Sequence, residues 1–129
     1  MTKYHAKKTV VDNIVFDSRL EAERWITLRK MEDEGLISDL RRQVKYELIP
    51  SQPKQWKGDT TERACNYIAD FVYEMGGREI VEDTKGFVTP EFRLKRKLFR
   101  WVTGGRIAVI KEEKRSARYK RLKKVRDGD

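Results

Sequence analysis

Two charged side chains near the end of one short segment are the residues best suited to do chemistry. Asp83 and Lys85 are one residue apart within the stretch 80–86, which begins apolar and ends at a glycine. Side chains alternate between the two faces of a strand, so this pair shares one face and Glu82, which we interpret as structural, takes the other. A carboxylate and an ammonium placed together can act on one bound phosphate, metal ion or water. The alternative is a surface ion pair of little energetic consequence.

A second acid, Asp70, lies inside the apolar segment 67–73. We expect Ile68 and Val72 to flank it on its own face. An unpaired buried carboxylate is costly, so it requires an arginine or a metal ion as partner. We favour a metal ligand because Asp83 follows on the next strand. Mg²⁺ typically takes only one or two carboxylates, together with substrate phosphate and water.

A third acid, Glu21, stands at the start of a predicted helix. Ser18 is the expected N-cap, and a glutamate three residues later has the spacing of a capping box. That local role would explain Glu21 by itself. It does not exclude a second role facing a metal ion, and the helix N-terminus favours the ionised carboxylate.

The elements that must position these acids follow from turn and cap signals. Residues 9–16 predict a hairpin around Asp-Asn, and residues 18–35 an amphipathic helix. An extended segment at 44–49 and two strands joined through Gly76 and Gly77 come next. Thr-Pro at 89–90 opens a second helix that ends at Gly104. A last strand at 106–110 would then lie parallel to the strand that carries Asp83.

Length and composition indicate one folded, charge-rich domain. The 129 residues are 38% hydrophobic and 40% charged, with both signs interleaved, and we treat 1–129 as a single unit. We predict a basic arm at 1–8 and a basic tail at 111–129. The net charge of +9 favours a polyanionic partner, either nucleic acid or an anionic membrane surface. An amphipathic helix with a bulky apolar face is not evident, which argues against the membrane.

The scarcity of soft ligands limits the metal. One cysteine and one histidine leave no internal disulfide and no cysteine-rich zinc pattern. Any metal site must therefore consist of carboxylates, which points to Mg²⁺ or Mn²⁺. No signal peptide and no run of 18 apolar residues is present, so we expect a cytoplasmic protein.

Five polar side chains are candidates for contacts with DNA. Lysines on the second helix could hold phosphates next to the scissile bond, and those on the loop before Asp70 could contact the backbone. Solvated surface charge is the alternative for each lysine, and ordinary strand alternation is the alternative for the glutamine. The five are Gln43, Lys54, Lys57, Lys95 and Lys97.

The order of these motifs resembles the PD-(D/E)XK nuclease superfamily. Glu21 within Phe-Asp-Ser-Arg-Leu-Glu-Ala, Asp70 within Tyr-Ile-Ala-Asp-Phe, and Asp-Thr-Lys-Gly at 83–86 followed by a helix carry the likeness. Within the superfamily the chain looks like small phage-encoded nucleases related to Holliday junction resolvases. The similarity covers about residues 3–110. Ala69 stands where the superfamily's name has proline.

The resemblance implies an α/β fold with a central mixed β-sheet flanked by helices, a restriction-endonuclease-like core. It implies Mg²⁺- or Mn²⁺-dependent endonucleolytic hydrolysis of DNA phosphodiesters, with Glu21, Asp70 and Asp83 as metal ligands and Lys85 as the catalytic lysine. A resolvase cuts two strands symmetrically, so a homodimer is expected. A repair or restriction-like nuclease without junction preference, and a non-catalytic nucleic-acid-binding module, are the alternatives.

Overall fold

The computed structural model describes residues 8–111, and its centre is a four-stranded mixed sheet. The strands are β1 (Thr9–Val11), β2 (Ile14–Phe16), β3 (Ser38–Ile49), β4 (Cys65–Met75), β5 (Arg78–Thr84) and β6 (Ile107–Ile110), and the helices are α1 (Arg19–Asp33) and α2 (Pro90–Thr103). The sheet order is β3-β4-β5-β6, antiparallel except for the parallel pair β5-β6. The predicted α/β fold with a central mixed sheet is confirmed. The basic arm and tail, apart from their innermost residues, lie outside the described residues.

Local signals fix where the elements begin and end. Asp12 and Asn13 both have positive φ, 53° and 62°, as a two-residue hairpin turn requires, so β1 and β2 pair as predicted. Ser18 caps α1 by accepting from the backbone N–H of the third helical residue, and Thr89 caps α2 in the same way. Gly104 ends α2 at φ 77°, a left-handed conformation that favours glycine. Residues 8–111 contain no helix long and apolar enough to span a membrane.

Each face of the sheet carries its own core. The α1-side core is formed by α1, the β1-β2 hairpin and one face of the sheet, and its buried members are Phe16, Ala22, Leu28, Ile37, Phe71 and Tyr73. The α2-side core packs α2 against the other face, and its buried members are Leu48, Tyr67, Ala69, Val72, Val81, Phe92, Phe99 and Ile107. The sheet is therefore the middle of three layers, and a side chain on it faces one helix or the other.

Strand β4 changes face at Asp70. Tyr67 and Ala69 lie in the α2-side core, whereas Phe71 and Tyr73 lie in the α1-side core. A regular strand would keep these four odd-numbered residues on one face. The alternation therefore inverts at Asp70, which sits at the pivot and belongs fully to neither face.

This inversion contradicts the expected surroundings of Asp70. The prediction that Ile68 and Val72 share its face was wrong, because the change of face at Asp70 puts these two residues on opposite faces of the sheet. Val72 is fully buried in the α2-side core, whereas Ile68 is 52% exposed. Asp70 consequently has polar neighbours instead of an apolar frame.

Strand β3 inverts at the position opposite. Arg42 lies on the α1 side, with its guanidinium 4.6 Å from the centre of the Phe16 ring, and Val44 packs against the α2-side core. Between them Gln43 adopts φ 52°. The register of β3 against β4 places Gln43 opposite Asp70. A non-glycine residue in this left-handed region costs roughly 1–2 kcal/mol, and such strain tends to accumulate at functional sites.

Candidate functional site

The predicted acid and lysine on β5 form a sheltered ion pair. Lys85 Nζ lies 3.1 Å from Asp83 Oδ1, and the side chain of Asp83 is only 4% exposed. The ammonium also stands over the Phe92 ring, 4.6 Å from its centre. The predicted shared face is confirmed, and burial makes this pair unlike an exposed surface ion pair. Lys85 remains partly accessible, so its ammonium can reach a ligand.

Tyr67 holds the other oxygen of Asp83. Its hydroxyl donates to Asp83 Oδ2 at 2.7 Å, and both groups are buried. Burial, followed by the hydrogen bond to Asp83, raises the pKa of Tyr67, so the phenol stays protonated as a donor. Sequence reasoning did not single out Tyr67. Strand alternation could have found it, because both residues lie on the α2 side.

Asp70 occupies the point where β4 and β5 separate. The paired residues of the two strands end at Phe71 and Glu82. Asp70 Oδ2 then accepts both the backbone N–H and the hydroxyl of Thr84, each at 2.8 Å. The carboxylate thus takes the place of a strand partner for β5. Thr84 was also missed, since only the divergence of the strands brings it to Asp70.

Glu21 turns from its helix toward Asp70. The amide nitrogen of Gln43 lies 3.3 Å from Glu21 Oε1 and 3.4 Å from Asp70 Oδ1, so one donor bridges both carboxylates. Arg42 lies 3.9 Å from the same Glu21 oxygen. The backbone N–H of Glu21 still donates to Ser18 Oγ at 3.1 Å. We call Glu21, Asp70 and Asp83 the acidic cluster, and helix capping and a place in this cluster coexist at Glu21.

Asp70 is close enough to Glu21 and Asp83 to affect the protonation of both. Burial, and next the charge of Asp70, raise the pKa of Glu21 to about 7, against a smaller opposing effect of Arg42. Burial and then Asp70 also raise the pKa of Asp83, although Tyr67 and its lysine partner oppose the shift. Asp70 thus links two acids that approach from opposite faces of the sheet.

The raised pKa of Glu21 predicts a specific dependence of stability on pH. The folded protein binds this proton more tightly than the unfolded chain, whose pKa is near the ordinary 4.5. The resulting stabilisation is complete below pH 4.5 and is lost as the pH rises through 7. In EDTA, Glu21→Gln should therefore be more stable than wild type at pH 8 by up to about 3 kcal/mol, and the difference should vanish near pH 4.5.

Urea unfolding of both proteins from pH 4.5 to 8 measures this difference. Glu74→Gln, an exposed change on β4, serves as the control and should keep the wild-type pH dependence. Equal pH dependence of wild type and Glu21→Gln would show that Glu21 does not carry the shifted pKa.

The donor set fits a hard divalent cation. As the side chains stand, no three His, Cys, Asp or Glu residues within 8–111 are grouped closely enough to hold a metal ion. Glu21 and Asp70 nevertheless direct one oxygen each at the same amide nitrogen. Carboxylate oxygens are the ligands that Mg²⁺ and Mn²⁺ prefer. Glu21, Asp70 and Asp83 are therefore the residues that would hold such an ion.

The predicted DNA-contacting residues are distributed over separate places. Gln43 lies within the acidic cluster. Lys95 lines a groove of about 300 Å³ together with Lys85, and it pairs with Glu91 at 3.3 Å. This groove brings a second cation beside the sheltered ion pair. Lys97 lines a different groove on α2.

The two loop lysines lie apart from the cations on α2. Lys54 and Lys57 are exposed on the connection between β3 and β4, which an isolated bridge from Gln52 to Glu62 closes at its base. Their contact with DNA stays a prediction.

Glu82 faces α1, as its position in the alternation predicts. Arg24 binds both of its oxygens, Nε to Oε1 at 2.7 Å and Nη2 to Oε2 at 2.6 Å, and the Tyr73 hydroxyl donates to Oε2 as well. Glu82 is 1% exposed. Through these contacts Glu82 joins α1 to the sheet.

Comparison with known proteins supplies a family without an activity. A family model described as "Protein of unknown function (DUF1064)" matches residues 1–123. No curated protein and no solved structure matches the chain. Functional reasoning therefore rests on the geometry of the acidic cluster and its surroundings.

Proposed function

The chain belongs to the DUF1064 family of proteins of unknown function, and for it we propose divalent-metal-dependent endonucleolytic hydrolysis of DNA phosphodiesters. One observation carries the proposal: Glu21, Asp70 and Asp83 approach one another from α1, β4 and β5, next to a partly accessible lysine. A purely structural site would not need to place Asp70 where its charge, added to burial, raises the pKa of both Glu21 and Asp83.

Lys85 has the properties of a group that acts on the attacking water. Asp83 fixes the position of the ammonium at 3.1 Å, while Tyr67 fixes Asp83 from the other side. The ammonium can orient a water by hydrogen bonding and offset negative charge that develops on the phosphate. Because its supports are buried, the lysine is aligned before substrate arrives.

The acidic residues supply the place for a divalent ion. Mg²⁺ or Mn²⁺, when bound, would make a water more acidic and neutralise charge on the phosphate. Glu21 and Asp70 offer one oxygen each to the point that the Gln43 amide now contacts, and Asp83 would be the third ligand. A divalent ion would also offset burial and the charge of Asp70, which together raise the pKa values of Glu21 and Asp83.

Calorimetric titration with Mn²⁺ should detect this ion-binding role without any substrate. We expect Asp70→Asn to weaken binding by about 10- to 100-fold, because it removes the acid that couples to both of the others. Thr84 can still donate to the asparagine oxygen, so the fold should persist. Equal Mn²⁺ affinity in both proteins would remove Asp70 from the ligand set.

The substrate class follows from charge. The net charge of +9 favours a polyanion, and the groove that contains Lys85 and Lys95 adjoins the acidic cluster. Preference for branched DNA, such as a four-way junction, follows from the resemblance to resolvases. Symmetric cleavage of a junction would require a homodimer.

Cleavage of covalently closed circular duplex DNA by the full chain tests the activity. With Mg²⁺ or Mn²⁺ we expect nicked and linear products, and with EDTA none. Failure of wild type to cut circular duplex, linear duplex and four-way junction alike would leave a non-catalytic nucleic-acid-binding module as the better interpretation. If the linear duplex and the junction are cut at equal rates, the enzyme is a nuclease without junction preference.

A further inference from the structure

A second basic groove lies on α2, apart from the acidic cluster. It has a volume of about 370 Å³ and lies between the last two turns of α2 and the start of β6. We call it the α2-β6 groove, and it is lined by Arg96, Lys97, Arg100, Arg106 and Ile107. The groove of Lys85 and Lys95 shares none of these residues.

The four cations of the α2-β6 groove face no opposite charge in the described part of the chain. All four are exposed, and within residues 8–111 none of them forms an ion pair or a side-chain hydrogen bond. Arg96 also lies over an aromatic ring, with its guanidinium 5.8 Å from the centre of Phe92. The sequence contains no Asp or Glu between positions 92 and 110. Four like charges on one short surface repel each other, and an anionic ligand would relieve that repulsion.

An exposed aromatic ring adjoins these charges. Trp101 is 87% exposed, far more than is usual for a tryptophan. It lies one helical turn beyond Lys97, so these two side chains are neighbours on the helix surface, and Lys97 is in turn a neighbour of Arg100. The turn advances about 6 Å along the axis, at about 1.5 Å per residue. Phosphate-binding groups and a stacking surface therefore occur within the length of about one nucleotide.

We propose that the α2-β6 groove binds an unpaired DNA strand, whose phosphates contact Lys97, Arg100 and Arg106 while a base stacks on Trp101. Bases within a duplex are already stacked on each other, so an open tryptophan face offers most to a base that is free. Guanidinium groups match phosphate oxygens with two parallel hydrogen bonds. This binding goes beyond the proposed hydrolysis, because it needs neither the acidic cluster nor a metal ion.

Charge distinguishes this occupant from a protein partner. The centre of a protein interface is typically depleted of charged residues, whereas four cations without an acidic partner in the described residues line this groove. Leu94, 60% exposed, lies two turns before the tryptophan and would extend the apolar surface toward a second base. A second copy of this chain would bring the same positive charges together, so self-association through this groove is disfavoured.

Fluorescence anisotropy with a labelled single-stranded oligonucleotide, in EDTA, tests the proposal. We expect Trp101→Ala to weaken binding about tenfold or more, the usual effect of removing one stacking residue. Arg100→Ala combined with Arg106→Ala should make the slope of log affinity against log salt less steep by about 0.7 per lost phosphate contact. Both variants should weaken binding to a blunt duplex of equal length by a smaller factor.

Matched surface changes serve as controls. Ile26→Ala removes an exposed apolar side chain and Lys30→Ala an exposed cation, both on α1. Both should bind the oligonucleotide as wild type does. Wild-type affinity in Trp101→Ala and in the double variant would overturn the proposal. A change in oligomeric state in Trp101→Ala, measured as molar mass in solution, together with unaltered oligonucleotide affinity would also overturn the proposal. That result would indicate a protein partner at this surface.

The test of single-strand binding can succeed or fail independently of the test of the proposed nuclease activity. Asp70→Asn should keep single-strand binding in EDTA even where cleavage is lost. If the protein binds the single strand but cuts no DNA, the binding role of the α2-β6 groove stands and the proposed nuclease activity falls. If it cuts DNA but does not bind the single strand, the nuclease activity stands and the binding role falls.

Discussion

Asp83→Asn is expected to lower the rate of DNA cleavage by about 10²- to 10⁴-fold, the range typical for loss of a positioned catalytic group. The asparagine keeps the volume of the side chain and can still accept from Tyr67, which now donates at 2.7 Å. It loses the negative charge that holds the ammonium of Lys85 at 3.1 Å and that would bind the metal ion. The chemistry should therefore suffer far more than the fold.

Single-turnover cleavage at saturating Mn²⁺ measures this effect, with circular dichroism as a check on folding. Lys85→Ala should cause a loss of similar size, and the double variant should lose little more than either change alone, because the pair acts as a unit. Glu79→Gln, an exposed change on the same strand, is the matched control and should cut like wild type. Unchanged cleavage in Asp83→Asn, Lys85→Ala and Asp70→Asn would contradict the catalytic assignment.

Arg24→Ala is expected to destabilise the fold by about 3–5 kcal/mol, the largest stability effect that we predict. Arg24 binds both oxygens of Glu82, which is almost completely inaccessible to water. Removing the arginine leaves a buried carboxylate with only the Tyr73 hydroxyl as partner. For a domain of about 100 residues each kcal/mol shifts Tm by about 4–8 °C, so the melting temperature should fall by well over 10 °C.

Two further variants isolate the cause of that loss. Arg19→Ala removes an ion pair with Glu23 that is open to solvent, and its free energy of unfolding should change by less than about 1 kcal/mol. Replacing both buried partners, Arg24→Met with Glu82→Leu, should recover most of the stability, because no charge then remains unpaired. If Arg24→Ala melts like Arg19→Ala, the buried pair does not hold α1 to the sheet.

Much of this arrangement could be predicted from local sequence. Asp-Asn at the hairpin turn, serine and threonine at the helix caps and glycine at the end of α2 each act through nearby backbone groups, so their signals need no tertiary context. The shared face of Asp83 and Lys85 follows from the two-residue period of a strand that stays regular. The opposite orientation of Glu82 follows from the same period.

The rest could not be predicted because it depends on departures from that period. Nothing in the sequence marks Gln43 for a left-handed backbone, a conformation usually signalled by glycine or asparagine. The change of face at Asp70 moved Val72 away from its expected side, and it also created the hydrogen bonds with Thr84. Long-range partners such as Arg24 for Glu82 are likewise set by packing between elements distant in the chain.

Strands β3 and β4 change face at residues that lie opposite each other, Gln43 and Asp70, and this restricts insertions and deletions in both strands. A deletion of one residue from β3 alone would turn one end of that strand over, so that its apolar side chains would face water and its charged ones the core. Only matched changes in both strands would keep the two cores intact. Gln43 is exposed, and exposed positions normally accept insertions and deletions. Although it is exposed, Gln43 is therefore one of the points in the chain that tolerate insertions and deletions least.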